Sequence, residues 1–159
     1  QQQQRKWSRR LHYVLSRLTT ADELETVLNS LKNQGIISRR EMPEFTERLQ
    51  TVLQHPQMQH YFSNEVVFEN EKEILDVRAL RYKPDRIVFD PKSNAVTLID
   101  FKLPPEKNEY IENLNSYAQL FAELMHSDIT CLLYYFEEER VHKWKFVPAK
   151  AGEQIGLGI

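Results

Sequence analysis

Three charged residues interrupt runs that would otherwise be purely apolar. Asp85 lies in Lys83-Pro-Asp-Arg-Ile-Val-Phe89, and Asp100 and Lys102 lie in Thr97-Leu-Ile-Asp-Phe-Lys102. Charge in such a setting is costly unless it is paired or holds a metal. Asp100 and Lys102 are two apart, so on a strand their side chains share one face while Ile99 and Phe101 take the other. Asp85 belongs to the preceding strand, across the turn Asp90-Pro-Lys-Ser-Asn94. That connection can bring both carboxylates to one hard cation that keeps several of its waters, Mg2+ or Mn2+. A lysine beside it would orient a water or stabilise charge developing on a phosphate. This is the chemistry of phosphodiester hydrolysis. The bland alternatives are a surface ion pair on an edge strand for Asp100 and Lys102, and a turn residue or a partner of Arg86 for Asp85.

The elements that must position these residues follow from periodicity. Leu11, Val14, Leu15 and Leu18 recur at helical spacing, and Phe45, Leu49, Val52 and Leu53 mark another helix that Pro56 closes. Thr20-Ala-Asp-Glu23 and Ser38-Arg-Arg-Glu41 read as capping boxes, and Gly35 stands where a helix wants a left-handed residue after its end. A helical lobe is expected over about 5–62 and a sheet core over about 63–148. In the latter, Val66 to Leu75, Leu80 to Phe89 and Ala95 to Phe101 are strand-prone, and Asn108 to His126 returns to helical spacing. Ile129 to Phe136 and Val141 to Val147 are two further strands that should pair. The tail 149–159 has no periodic pattern and is expected to be loosely ordered.

With 159 residues the chain is long enough for one core, and a single domain over 1–148 is expected. No apolar run approaches the roughly 20 residues of a membrane span, so no membrane partner is expected. The polar, basic start does not read as a secretory signal, and its four glutamines without Met suggest a piece of a longer chain. Cys131, the one cysteine, sits in an apolar stretch and reads as a buried small hydrophobe. It excludes an internal disulfide and a four-cysteine iron–sulfur cluster. A net charge of −2 argues against binding nucleic acid by bulk charge. Arg5, Lys6, Arg9 and Arg10 cluster near His12, where they could meet phosphates or only solvent.

Pro84-Asp85, then Asp100-Phe-Lys102 fifteen residues on, within an αβββαβ order, resemble the PD-(D/E)XK nuclease superfamily. His12 in Arg10-Leu-His-Tyr-Val-Leu-Ser-Arg-Leu18, Tyr61-Phe-Ser63, Glu71-Lys-Glu-Ile-Leu75, Tyr82-Lys-Pro-Asp-Arg86 and Ile99-Asp-Phe-Lys102 are similar to the RecB/AddA-like nuclease domain at the C-terminus of certain bacterial UvrD/Rep-type helicases. The resemblance covers about residues 5–146. It implies an α/β, restriction-endonuclease-like core with a central mixed sheet flanked by helices and an N-terminal helical lobe. It implies Mg2+ or Mn2+ held by His12, Asp85, Asp100 and the backbone carbonyl of Phe101, with Asp85, Asp100 and Lys102 catalytic. The family's Gln-x-x-x-Tyr pair, which contacts DNA or supports the site, falls on Asn113 and Tyr117, with Asn in place of Gln. The family's Lys-Thr-Gly is Lys102-Leu-Pro-Pro105 here. Glu71 is a further candidate for a metal-bound water, or a solvated strand carboxylate.

The function so implied is a metal-dependent exonuclease on single-stranded DNA, the nuclease module of a helicase-nuclease in repair, in the cytoplasm of a bacterium near its nucleoid. The sequence has no Gly-x-x-x-x-Gly-Lys-Ser/Thr loop, so the helicase partner is expected upstream in the same polypeptide. Two rivals are a catalytically inactive nuclease-fold module that binds DNA or docks on a helicase, and a restriction-like endonuclease on duplex DNA. His55, His60, His126 and His142 show no ligand spacing, and Tyr110 and Tyr117 are core residues by default.

Overall fold

A computed structural model describes residues 2–69 and 83–148. Glu71 and the strand-prone Ile74, Leu75 and Leu80 lie outside the described residues, as does the tail 149–159. The chain is mixed α/β, with a five-stranded mixed sheet and, among the described residues, four helices. Helices α1 (Gln2–Leu15), α2 (Leu24–Asn33) and α3 (Met42–Leu53) come first. Strands β1 (Val67–Glu69), β2 (Arg86–Phe89) and β3 (Val96–Lys102) follow, then α4 (Asn108–Glu123), β4 (Ile129–Tyr135) and β5 (Arg140–Lys145).

The strands lie side by side in chain order. Neighbours are antiparallel except β3 and β4, which run parallel because α4 carries the chain back between them. Alternation along the central strands divides the core in two. Ile99, Phe101, Leu132 and Tyr134 pack against the helical lobe through Leu11, Leu15, Phe45 and Leu49. Leu98, Cys131 and Leu133 pack against α4 through Leu114, Tyr117 and Phe121. With both faces covered, every residue of β4 is buried. Cys131 is among them, and burial pushes its thiol up to about 12, as befits an inert core residue.

Local chemistry explains most element ends. After α2 the N–H of Ile36 donates to the Leu31 carbonyl and that of Gly35 to Lys32, with Gly35 at φ 76°, the left-handed closure expected there. Ser38 and Glu41 form their capping box reciprocally at 3.1 and 3.2 Å. Thr20 does not: it carries no side-chain cap, and only its carbonyl accepts, from the Glu23 N–H, in a single 3-10 turn Ala21–Glu23. Strand β2 begins at Arg86 because Pro84 has no N–H to give and the Asp85 N–H is turned to a side chain, Oδ1 of Asp100. No helix among the described residues is long and apolar enough to cross a membrane.

Candidate functional site

The end of β3 that carries Asp100 and Lys102 lies in the middle of the sheet, third of five strands, so the edge-strand ion pair is excluded. Asp100 is 1% exposed. Its Oδ1 accepts the backbone N–H of Asp85 at 2.8 Å, and Oδ2 of Asp85 accepts the N–H of Phe101 at 2.9 Å. The two aspartates thus clasp each other across β2 and β3, where the register sets Arg86 opposite Ile99. A carboxylate buried to this degree needs such donors, since an unmet one costs about 1–3 kcal/mol.

His12 enters from the helical lobe. Its Nδ1 is 2.9 Å from Oδ2 of Asp85, and its ring meets Phe101 and Phe136 edge-on. Lys102 enters from the other side, with Nζ 3.7 Å from Oδ2 of Asp100 and 4.7 Å from the centre of the Tyr110 ring in the first turn of α4. His12, Asp85, Asp100 and Lys102, scattered over ninety residues of sequence, therefore form one continuous chain of contacts. Two carboxylates with one imidazole are a donor set suited to Mg2+ or, with its greater tolerance of nitrogen, Mn2+. Among the described residues no three such groups converge as a ready cage. Oδ2 of Asp85 is engaged by His12 and Phe101, and Oδ1 of Asp100 by Asp85. The donor types fit the group, and His12 and Asp85 are each about a quarter accessible.

Asn113 and Tyr117 lie one turn apart on α4. Tyr117 is buried at 4% exposure with Phe121 beside it, while Asn113 is half-buried. Tyr117 is thus placed to support the sheet beneath the site, not to touch a ligand directly.

Three features were not read from the sequence. Arg86 is not the partner of Asp85; its side chain crosses to the helical-lobe face and is 1% exposed. There it donates to the carbonyls of Leu18, of Thr19 at 2.7 Å and of Tyr61 at 3.0 and 3.1 Å, between the rings of Phe62 and Phe68. Burial lowers its pKa to about 9, so it remains charged at neutral pH. It fastens the end of α1, and with it His12, to the strand that follows Asp85. Tyr110, half-buried, packs against the core on the α4 side and also lies beneath the Lys102 ammonium. Glu106, in the loop between β3 and α4, accepts from Tyr135 at 3.0 Å and meets Nδ1 of His142 at 2.6 Å. Burial opposes its ionisation, yet His142 and Tyr135 prevail and hold its carboxyl below the ordinary range. The parallel register sets Tyr135 opposite Lys102, so this cluster pins the loop that leaves β3. A pairing across thirty residues of this kind has no sequence spacing to announce it.

No protein-family model matches the chain, and no curated protein matches it significantly.

Proposed function

We propose that this chain is a divalent-metal-dependent deoxyribonuclease on a restriction-endonuclease-like core. One observation carries the reading: His12, Asp85, Asp100 and Lys102 meet at the end of the central strand. The order of helices, three antiparallel strands, a crossover helix and a parallel strand also agrees with the αβββαβ arrangement of that core. Asp85, Asp100, His12 and the Phe101 carbonyl would hold Mg2+ or Mn2+. When bound, that ion would lower the pKa of a water and offset charge on the scissile phosphate.

The chain's own residues supply the rest. Asp100, fixed by the Asp85 amide, presents Oδ2 toward Lys102 from a buried position where electrostatic interactions are strong. Lys102 is held between that carboxylate and the Tyr110 ring, and so needs little reorganisation to orient a water or meet developing negative charge. The reaction consumes one water per phosphodiester cleaved. A single DNA strand is the preferred substrate, acted on as the nuclease module of a repair helicase in a bacterial cytoplasm; this partnership rests on the resemblance alone.

The rival, a nuclease-fold DNA-binding or docking module, is favoured by one observation, the absence of a ready cage among the described residues. Degradation of end-labelled single-stranded DNA by the purified chain in Mg2+ or Mn2+ decides between them. Cleavage abolished by EDTA and by Lys102→Ala supports the enzyme. No cleavage in either metal leaves the module. Cleavage of a closed circular plasmid would instead indicate a duplex endonuclease.

A further inference from the structure

Five of the chain's 21 basic residues fall in its first twenty, with no carboxylate among them, although the whole chain is net negative. The structure puts most of this charge on one side of α1. A cleft of about 590 Å3 is lined by Arg5, Lys6, Ser8, Arg9 and Leu103. That volume lies within the roughly 300–1,000 Å3 that accepts a small ligand. Leu103 is the residue after Lys102, and Ser8 is one helical turn before His12, so the cleft opens beside the site. Arg10 is engaged with Glu41 at 2.8 Å. Arg5, Lys6 and Arg9, all exposed, meet no carboxylate among the described residues. Three like charges gathered with no carboxylate against them among the described residues are an attraction for an anion.

Arg9 also borders a second hollow of about 180 Å3, which is almost wholly apolar and includes Tyr13, Ile36 and Phe45. Tyr13 is 40% exposed and Ile36 38%, and the Arg17 guanidinium lies 3.9 Å from the Tyr13 ring centre. A basic cleft joined to an exposed aromatic is the pairing that single strands use, phosphates on the cations and a base on the ring.

We infer that the outer face of α1 is a binding track for a single DNA strand, with Arg5, Lys6 and Arg9 on consecutive phosphates and a base against Tyr13, leading to His12 and Lys102. The inference deepens the nuclease reading and rests on it for the strand's destination. Binding and cleavage are nevertheless separate measurements.

Fluorescence anisotropy of labelled oligo(dT), in EDTA so that no cleavage occurs, measures affinity over a salt series. Each phosphate contact to a single strand contributes about 0.7 to the slope of log affinity against log salt. The triple variant Arg5→Ala/Lys6→Ala/Arg9→Ala should lose about 2 from that slope and at least about tenfold in affinity at low salt. Tyr13→Ala should weaken binding about tenfold with the slope unchanged. Lys92→Ala/Lys143→Ala, which removes exposed lysines elsewhere, should bind as the parent does. Unchanged thermal melting of each variant shows that folding is intact. A triple variant with the parental slope, or a parent that does not bind, overturns the track. If that triple variant still cleaves like the parent while Lys102→Ala does not, the nuclease stands and the track falls. Parental binding with the predicted slope but no cleavage leaves the track and removes the nuclease.

Discussion

Asp85 and Asp100 hold each other through the backbone: the Asp85 N–H donates to Oδ1 of Asp100 at 2.8 Å, and Oδ2 of Asp85 receives the Phe101 N–H at 2.9 Å. Each carboxylate thereby fixes the strand that carries the other. Asp100→Asn keeps an oxygen for the Asp85 amide and removes the charge, so it should fold like the parent. Asp100→Ala strands that buried N–H and should cost about 1–3 kcal/mol. Urea denaturation of the two variants checks this; equal stability would mean that the clasp contributes nothing.

The Tyr110 ring lies under the Lys102 ammonium at 4.7 Å. A contact of this type is worth about 0.5–1 kcal/mol at a partly exposed position. Tyr110→Phe should therefore retain kcat/KM for single-strand cleavage, whereas Tyr110→Leu should lower it about two- to fivefold. Equal loss in both variants would assign the effect to the hydroxyl instead of the ring.

Arg86 is a buried charge whose hydrogen bonds tie the end of α1 and the Tyr61 turn to β2. Arg86→Met leaves the carbonyls of Leu18, Thr19 and Tyr61 without their donor and should destabilise the fold by about 3 kcal/mol or more. Arg86→Lys should recover little, because an ammonium lacks the planar fork that reaches three carbonyls at once. Thermal melting within a few degrees of the parent would show that these bonds are not needed.

Glu41 is held at about 2, down from its ordinary 4.5, chiefly by the hydrogen bond from Arg10 and then by that from Ser38. A carboxyl with a lowered folded pKa contributes stability that is full above 4.5 and is lost as pH falls toward 2. The pair is partly exposed and screened by solvent, so its contribution is about 1 kcal/mol at most. Glu41→Gln should destabilise at neutral pH and flatten the fall in stability between those two values. Urea midpoints across that pH range would contradict this if the parent and variant ran parallel.

Much of the fold was legible because hydrophobic spacing alone separates helix from strand in this chain. The β4 run from Ile129 is apolar enough to demand a doubly covered strand, and Gly35 announces its own closure. Asp100 and Lys102 were legible for the same reason in reverse, as charges inside an apolar run. His12 was not legible from its own helix, since one histidine carries no spacing; only the resemblance singled it out. Arg86 misled because it adjoins Asp85, yet strand alternation turns neighbours to opposite faces. Tyr110 shares a helical face with the buried Tyr117 and packs at the edge of the same core, but in the first turn of α4 it also reaches Lys102, a contact that helical spacing does not announce. The Thr20 box failed because the chain turns there in 3-10 geometry, which leaves the Glu23 N–H to the Thr20 carbonyl instead of its hydroxyl.

The proposed metal site requires that His12, Asp85 and Asp100 bind one divalent cation. Calorimetric titration of Mn2+ into the parent, Asp100→Asn and His12→Ala tests it without DNA. The account predicts a single binding event in the parent, lost in Asp100→Asn and weakened about 10–100-fold in His12→Ala. A parent that takes up no Mn2+, or the same affinity in all three proteins, would contradict it.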